Sequence, residues 1–204
     1  MKYREFYLKE DIDNWVINNY GEWINILNKE KYNYKAGNTD LADLLYCYGG
    51  NNYITYNNIL RGFEEYSENE RKENLKEIDI INKSISKFKL NDEIVVWRFT
   101  HKDFFETLFE DFKVKKENTF TEKAFMSTTL IPSLLLEFAK KNKYNCLLKL
   151  YLPRGTKGAY LKFNNTLLNE EEFLLPFGAT FVLKNRYYDF RFRKWVYKCS
   201  LMSQ

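Results

Sequence analysis

Histidine and cysteine are both scarce in this chain: one histidine, His101, and three cysteines, Cys47, Cys146 and Cys199, in 204 residues. The cysteines lie far apart, without C-x-x-C spacing, which argues against a disulfide framework and against a zinc site. No serine, cysteine or metal-ligand constellation surrounds His101, so it reads as a packing or surface residue, with a place at the rim of a cleft as the alternative. Long apolar runs are missing too. Met1-Lys2-Tyr3-Arg4-Glu5-Phe6-Tyr7-Leu8 lacks the apolar core of a signal peptide, and no run is long enough to cross a bilayer. The expectation is a soluble protein made in the cytoplasm or already trimmed, with any export by a route that reads no cleavable leader. Repeats, low-complexity tracts and Pro/Gly-rich linkers are also absent, which predicts one domain over residues 1–204. A net charge of +4 is too mild to imply nucleic acid by itself.

Apolar residues make up 45% of the chain and aromatics 18%, enough for a buried core and against disorder. Residues 1–90 read as helices separated by Asn/Gly punctuation. Ile12, Trp15, Val16 and Asn19 form one stripe, Trp23, Ile24, Ile26 and Leu27 another, and Leu41, Leu44 and Leu45 a third. Between Ser67 and Lys89, Leu75, Ile78, Ile81, Ile85 and Phe88 recur at helical spacing, and the charges between them read as a solvated face. Residues 91–204 shift to short strands rich in Val, Phe and Tyr. Ala179 to Leu183 and Asp189 to Leu201 continue that pattern, the latter with basic and aromatic residues interleaved. Such interleaving suits nucleic acid or, more simply, a half-exposed strand. The fold class expected is α+β, helices first and a strand-rich core after.

Three short segments carry candidate chemistry. Ile94-Val95-Val96-Trp97 reads as a buried strand ending on Arg98, and Ala124-Phe125-Met126 as another ending on Ser127-Thr128-Thr129. Glu170-Glu171-Glu172 leads into Phe173-Leu174-Leu175-Pro176. In an extended segment, residues two apart point the same way, so Glu170 and Glu172 are expected to face one cleft. Taken alone, an acidic triplet before a buried strand is a solvated turn. An arginine, a hydroxyl cluster and a carboxylate pair in that order make a different case.

Together they resemble the bacterial toxin-type mono-ADP-ribosyltransferases, whose signature is an arginine, then Ser-Thr-Ser, then Glu-x-Glu or Gln-x-Glu before a Leu-Leu-Pro-like strand, as in the C3-like and binary actin-modifying toxin catalytic domains. Tyr48-Gly49-Gly50-Asn51-Asn52-Tyr53 through Asn57-Asn58-Ile59-Leu60-Arg61 is similar to an upstream segment of that family. Phe138-Ala139 and Leu147 through Tyr160 are similar to its link between the hydroxyl and carboxylate motifs. The resemblance runs from about Leu41 to Leu183. It implies an ADP-ribosyltransferase fold with N-terminal helices packed on two short, mostly antiparallel sheets around an NAD cleft, with NAD as co-substrate and no metal.

The implied chemistry is cleavage of the nicotinamide–ribose bond. The leaving group is already cationic, so what is needed is a fixed carboxylate to stabilise positive charge building on the ribose. By resemblance that group is Glu172, held by Ser127, while Arg98 clamps phosphate with its planar fork of donors. The backbone of Phe99 would meet the nicotinamide carboxamide, Tyr48 and Asn57 the dinucleotide, and Phe138 would stack on nicotinamide. Each of these also has a plain reading as a salt-bridge, cap or core residue. Thr129 stands where the family commonly has serine, and Lys140-Lys141 where it often has Gly-Arg. Glutamate at position 170 goes, in relatives, with transfer to arginine, because a carboxylate can pair with a guanidinium and help remove its proton. Leu167 and Leu168 fall in the family's substrate-recognition turn, with Leu167 where an aromatic residue often sits.

The expected partners are therefore NAD and a protein presenting arginine, with no nucleic acid, no membrane span and a monomeric enzyme. An NAD glycohydrolase and a non-enzymatic binding module are the alternatives. Many relatives carry a second, docking domain, for which a chain of this length has no room. The resulting expectation is a toxin or effector that enters alone, is injected, or acts in the cell that makes it.

Overall fold

The computed structural model describes residues 3–33, 37, 39–63, 65–110, 114–163 and 170–204. Helix α1 (Lys9–Leu27), α2 (Leu41–Cys47), a π-helical turn (Tyr48–Asn52), α3 (Tyr53–Arg61) and α4 (Glu68–Ile85) precede the first strand, β1 (Ile94–Thr100). Then follow α5 (Lys102–Thr107), β2 (Thr119–Glu122), β3 (Met126–Thr129), α6 (Leu136–Lys141), β4 (Cys146–Leu152), β5 (Ala159–Leu161), β6 (Glu172–Leu175), β7 (Ala179–Asp189) and β8 (Lys194–Ser203). This is the α+β order read from the sequence.

The first two apolar stripes belong to one helix rather than two. Helix α1 runs unbroken through Gly21 and buries Ile12, Trp15, Val16, Tyr20, Trp23 and Leu27. A helix-interior glycine costs about 1 kcal/mol, whereas each large apolar side chain buried returns about 1.5–3 kcal/mol, so burial overrides the local break. Trp23 Nε1 then donates to the Tyr160 carbonyl at 2.8 Å, fixing α1 on β5. Helix α4 starts where its side chains demand. Ser67 accepts from the Glu70 amide while Glu70 reaches back to the Ser67 amide, a reciprocal cap that satisfies two otherwise orphaned donors.

All eight strands join one mixed sheet in the order β2-β7-β8-β4-β1-β3-β6-β5. This corrects the expectation of two separate sheets. The correction is narrow, because β1 and β3 meet through the single registered pair Trp97↔Thr129, whereas β1 and β4 stay in register from Ile94↔Leu152 to Thr100↔Cys146. Strand spacing reads out strands but not which edges pair. Along β1 the side chains alternate. Ile94 and Val96 enter the main core with α1–α4, and Val95, Trp97 and Phe99 enter a smaller core with Ala139, Leu147 and Val196. Two boundaries also shift. Ser127, Thr128 and Thr129 are themselves strand residues, and Asp189 to Leu201 is two strands, with a turn at Phe190–Arg193 between β7 and β8.

Gly158 shows how tightly β5 sits on β6. Its φ is +153°, and a Cβ there would lie 2.7 Å from the Phe173 ring and 2.9 Å from the Leu174 carbonyl oxygen. No other residue fits without movement.

Candidate active site

At the narrow β1–β3 seam the sheet opens into a cleft of about 330 Å³, within the range usual for small-molecule sites. Tyr48, Asn57, Arg98, Phe99, Ser127, Phe138, Glu170 and Glu172 all line it. Every expected site residue that the structure describes is therefore in one place. Leu167 and Leu168 lie outside the described residues.

Three parts of the chain build the walls. On one side, the π-helical turn brings Tyr48, Gly49 and Gly50 to the cleft, with Gly50 at φ −82°, ψ −105°, away from helical geometry; π-turns of this kind often mark functional sites. The floor is β1 beside β3. Arg98 Nη1 donates to the Ser127 carbonyl oxygen at 2.7 Å, so the guanidinium is held against the hydroxyl-bearing strand while its remaining donors are left for another acceptor. On the third side stands Glu172, which opens β6 opposite Thr129.

The pair Glu170 and Glu172 faces one cleft as expected, but not by the expected route. The segment is not extended: Glu171 has φ +45°. That turn sends Glu171 inward, where it is 2% exposed. There its carboxylate accepts a hydrogen bond from the Tyr160 hydroxyl and pairs with Lys9 Nζ at 3.7 Å. The flanking backbone is pinned as well. Thr129 Oγ1 donates to the Glu170 carbonyl at 2.6 Å, Thr128 Oγ1 to the Phe173 carbonyl at 2.5 Å, and the Leu130 amide to the Glu171 carbonyl at 3.0 Å. The threonine that stands in place of the family's serine thus uses its hydroxyl to fix the acidic segment.

Burial sets the electrostatics. It pushes the Glu172 carboxyl up to about 7, with Glu170 adding to the rise while the Ser127 hydroxyl and the Arg98 charge oppose it. Burial also raises Glu170. Tyr48 is raised by burial and then by the charge of Glu172. Among the described residues the Tyr48 hydroxyl and Asn57 Oδ1 find no partner of good hydrogen-bond geometry, although the Asn57 side chain lies close enough to the hydroxyl to oppose the rise in Tyr48. Buried polar atoms are rarely left so, and here both belong to residues lining the cleft. A bound molecule offering polar groups would satisfy them.

A family model for ADP-ribosyltransferase exoenzymes matches residues 12–189. The chain belongs to that family. Among curated family relatives, NAD(+)-arginine ADP-ribosyltransferase EFV of Enterococcus faecalis is 28% identical over 171 residues, 82% of this chain and 30% of that protein. The chain therefore spans about 30% of the length of that relative. Among solved structures, C3stau2 from S. aureus with NAD superposes with a TM-score of 0.72 at 19% identity, each chain covered in full. The toxin BECa of C. perfringens, solved with NADH, gives a TM-score of 0.73 at 23% identity over 99% of this chain and 50% of that one. These likenesses establish the exoenzyme fold.

Some cleft residues escaped the sequence. Tyr144 lines the wall beside Phe138, their rings 6.1 Å apart. It arrives there because α6 ends with Lys143 at φ +55° and the Tyr144 amide on the Ala139 carbonyl at 2.9 Å, a left-handed helix stop that Lys143 does not advertise. Trp97 and Leu135 also border the cleft and carried no signal beyond hydrophobicity. His101 is exposed and packs edge-on against Tyr144 at 4.9 Å, just behind the wall.

Proposed function

We propose that this protein is a mono-ADP-ribosyltransferase that moves ADP-ribose from NAD to a protein arginine with release of nicotinamide, acting as a toxin or effector. One observation carries the reading: Arg98, Ser127, Glu170 and Glu172, separated by up to 74 positions in sequence, line the same small cleft. The named activity of the E. faecalis relative and the NAD and NADH in the neighbouring structures support it. The residues at hand fit a dinucleotide. Tyr48 and Asn57 offer unsatisfied polar atoms, Arg98 a guanidinium with donors to spare, and Phe138 an aromatic face.

Each residue then has a task set by its position. Glu172, when ionised, supplies the negative charge that favours positive charge on the adjacent ribose. The Ser127 hydroxyl stabilises that ionised form, against the burial that opposes it. Arg98 binds phosphate oxygen and stays anchored to β3 through the Ser127 carbonyl. Glu170, partly desolvated beside Glu172, orients the acceptor guanidinium and takes a proton as its nitrogen attacks. Because Thr129, Tyr160 and Lys9 hold the segment between the two carboxylates, neither has to be positioned by substrate. The helices and the sheet act together in this reading as one catalytic unit over residues 1–204.

The test is transfer of labelled ADP-ribose from NAD to agmatine, a free guanidine. Wild type transfers, Glu170→Gln retains only hydrolysis of NAD, and Glu172→Gln loses both. Free ADP-ribose without modified agmatine in the wild type would assign the cleft to an NAD glycohydrolase instead, and binding of NAD without any turnover to a non-enzymatic module.

A further inference from the structure

We propose that the β7–β8 hairpin is a docking element for an anionic lipid bilayer and lies at the base of the cleft wall. Three observations converge on it. First, the charge of the chain is concentrated there. Residues 184–198 hold six Lys or Arg against the single acid Asp189, a net +5, while the whole chain is only +4. Everything outside the hairpin is thus close to neutral. Asp189 is itself buried and occupied by Arg191, whose guanidinium sits 2.8 Å away, and Lys184 pairs with Glu117 at 2.9 Å, so the outward cationic charge rests on Arg186, Arg193, Lys194 and Lys198.

Second, large rings stand exposed at the hairpin's end. Phe190 in the turn is 84% exposed, and Tyr188 and Trp195 are 41% and 46% exposed. Tyr188 and Trp195 are cross-strand partners, with their rings 5.9 Å apart, and Phe190 meets Tyr188 at 5.3 Å. The cluster stands on the β7–β8 ladder, which β4 joins at Cys146↔Trp195, and nothing among the described residues covers it.

Third, the ring arrangement selects the partner. Both contacts are edge-on, at 79° and 78°, and the Arg186 guanidinium covers a face of Trp195 at 5.5 Å. Base stacking in a single strand needs open ring faces in series, which this cluster does not present. An apolar Phe at the tip, Trp and Tyr behind it and a collar of Arg and Lys instead match the layers of a membrane surface. Rings of Trp and Tyr favour the headgroup level, and basic side chains are attracted to anionic headgroups within a Debye length.

The hairpin is tied to the cleft. Phe192, from the same turn, packs on Trp97 and Phe99 at 6.0 and 6.4 Å, and Lys194 Nζ donates to the Tyr144 carbonyl oxygen; Trp97, Phe99 and Tyr144 all line the cleft. Docking through the tip would hold the cleft at a set orientation beside the bilayer, where a membrane-associated acceptor is reached by two-dimensional search.

The test is co-sedimentation of the full 204-residue protein with vesicles of phosphatidylcholine alone and of phosphatidylcholine with phosphatidylserine, beside Phe190→Ser/Trp195→Ser and Arg186→Glu/Arg193→Glu. Wild type is expected on the anionic vesicles and not on the neutral ones. Each double variant is expected to lower the bound fraction roughly tenfold or more while keeping the wild-type circular dichroism spectrum. Turnover of NAD with agmatine, read in parallel without vesicles, is expected to be unchanged, which separates this proposal from the enzymatic one. Absence of wild-type binding to anionic vesicles overturns it. So does binding that survives loss of the two rings, or binding that a single-stranded oligonucleotide or an acidic polypeptide captures in preference to the bilayer.

Discussion

The Tyr160 hydroxyl donates a hydrogen bond to Glu171, the residue between the two carboxylates that face the cleft. A buried acid thus acts as the peg on which the half-buried pair of acids facing the cleft is hung. Tyr160→Phe removes one hydrogen bond to a buried carboxylate, which typically costs about 1–3 kcal/mol. In a chain of this size that corresponds to a fall in Tm of roughly 2–12 °C, measurable by differential scanning calorimetry. Because the peg sets the Glu170–Glu172 backbone, transfer to agmatine is expected to fall more than NAD hydrolysis does.

Glu172→Gln separates function from stability. The wild-type carboxyl is raised to about 7 in the folded protein, against about 4.3 in an unfolded chain. Folding therefore favours its protonated form. That contribution is fully present below the unfolded value and is lost as pH rises through about 7. The amide has no charge to lose, so Glu172→Gln is expected to match wild type near pH 4 and to exceed it at pH 8 by up to roughly 3 kcal/mol, in urea melts at the two pH values. Its turnover is expected to drop by roughly a hundredfold or more.

The same group sets a pH profile. In the proposed role Glu172 acts ionised, so kcat/KM for NAD hydrolysis is expected to rise about tenfold per pH unit on the acid side and to level off above about 7, the value to which burial lifts the carboxyl. A flat profile between pH 5.5 and 8 would remove Glu172 from the rate-limiting chemistry.

Tyr48→Phe probes the unsatisfied hydroxyl. That oxygen finds no partner of good hydrogen-bond geometry among the described residues, so its removal is expected to leave stability unchanged or raise it by about 1 kcal/mol. Affinity for NAD is expected to weaken several-fold in isothermal titration. Lower stability with unchanged affinity would give Tyr48 a packing role only.

Gly158→Ala tests the β5–β6 contact. The added methyl meets the Phe173 ring and the Leu174 carbonyl oxygen below 3.0 Å, at a φ of +153°, so a loss of about 1–3 kcal/mol is expected in thermal melts. NAD affinity per folded molecule should persist if the change stays local.

Much of this architecture is legible in the amino-acid order alone. The helical stripes Ile12–Asn19 and Trp23–Leu27, the spacing from Ile78 to Ile85 and the change to strand-like patterning near Ile94 all depend on neighbours within a turn or two of chain. Local physics suffices for those. The motif residues Arg98, Ser127, Glu170 and Glu172 each stand at the edge of a short apolar segment, but it was their order, by its resemblance to the toxin family, that singled them out.

Other features depended on groups distant in sequence. Gly21 stays helical because Trp23 and its neighbours find β5 to bury against. Glu171 leaves the extended path because Tyr160 and Lys9 wait beneath it. Tyr144 reaches the cleft through a left-handed residue that nothing in its own type requires. One sheet forms instead of two because Trp97 and Thr129 meet at a seam. The sequence by itself determined which elements exist and which motif side chains were candidates for the cleft, since periodicity and motif are local. Only the tertiary structure decided which edges pair, which acid turns inward and where the cleft opens, since those outcomes are set by burial and hydrogen bonding between segments that meet only after folding.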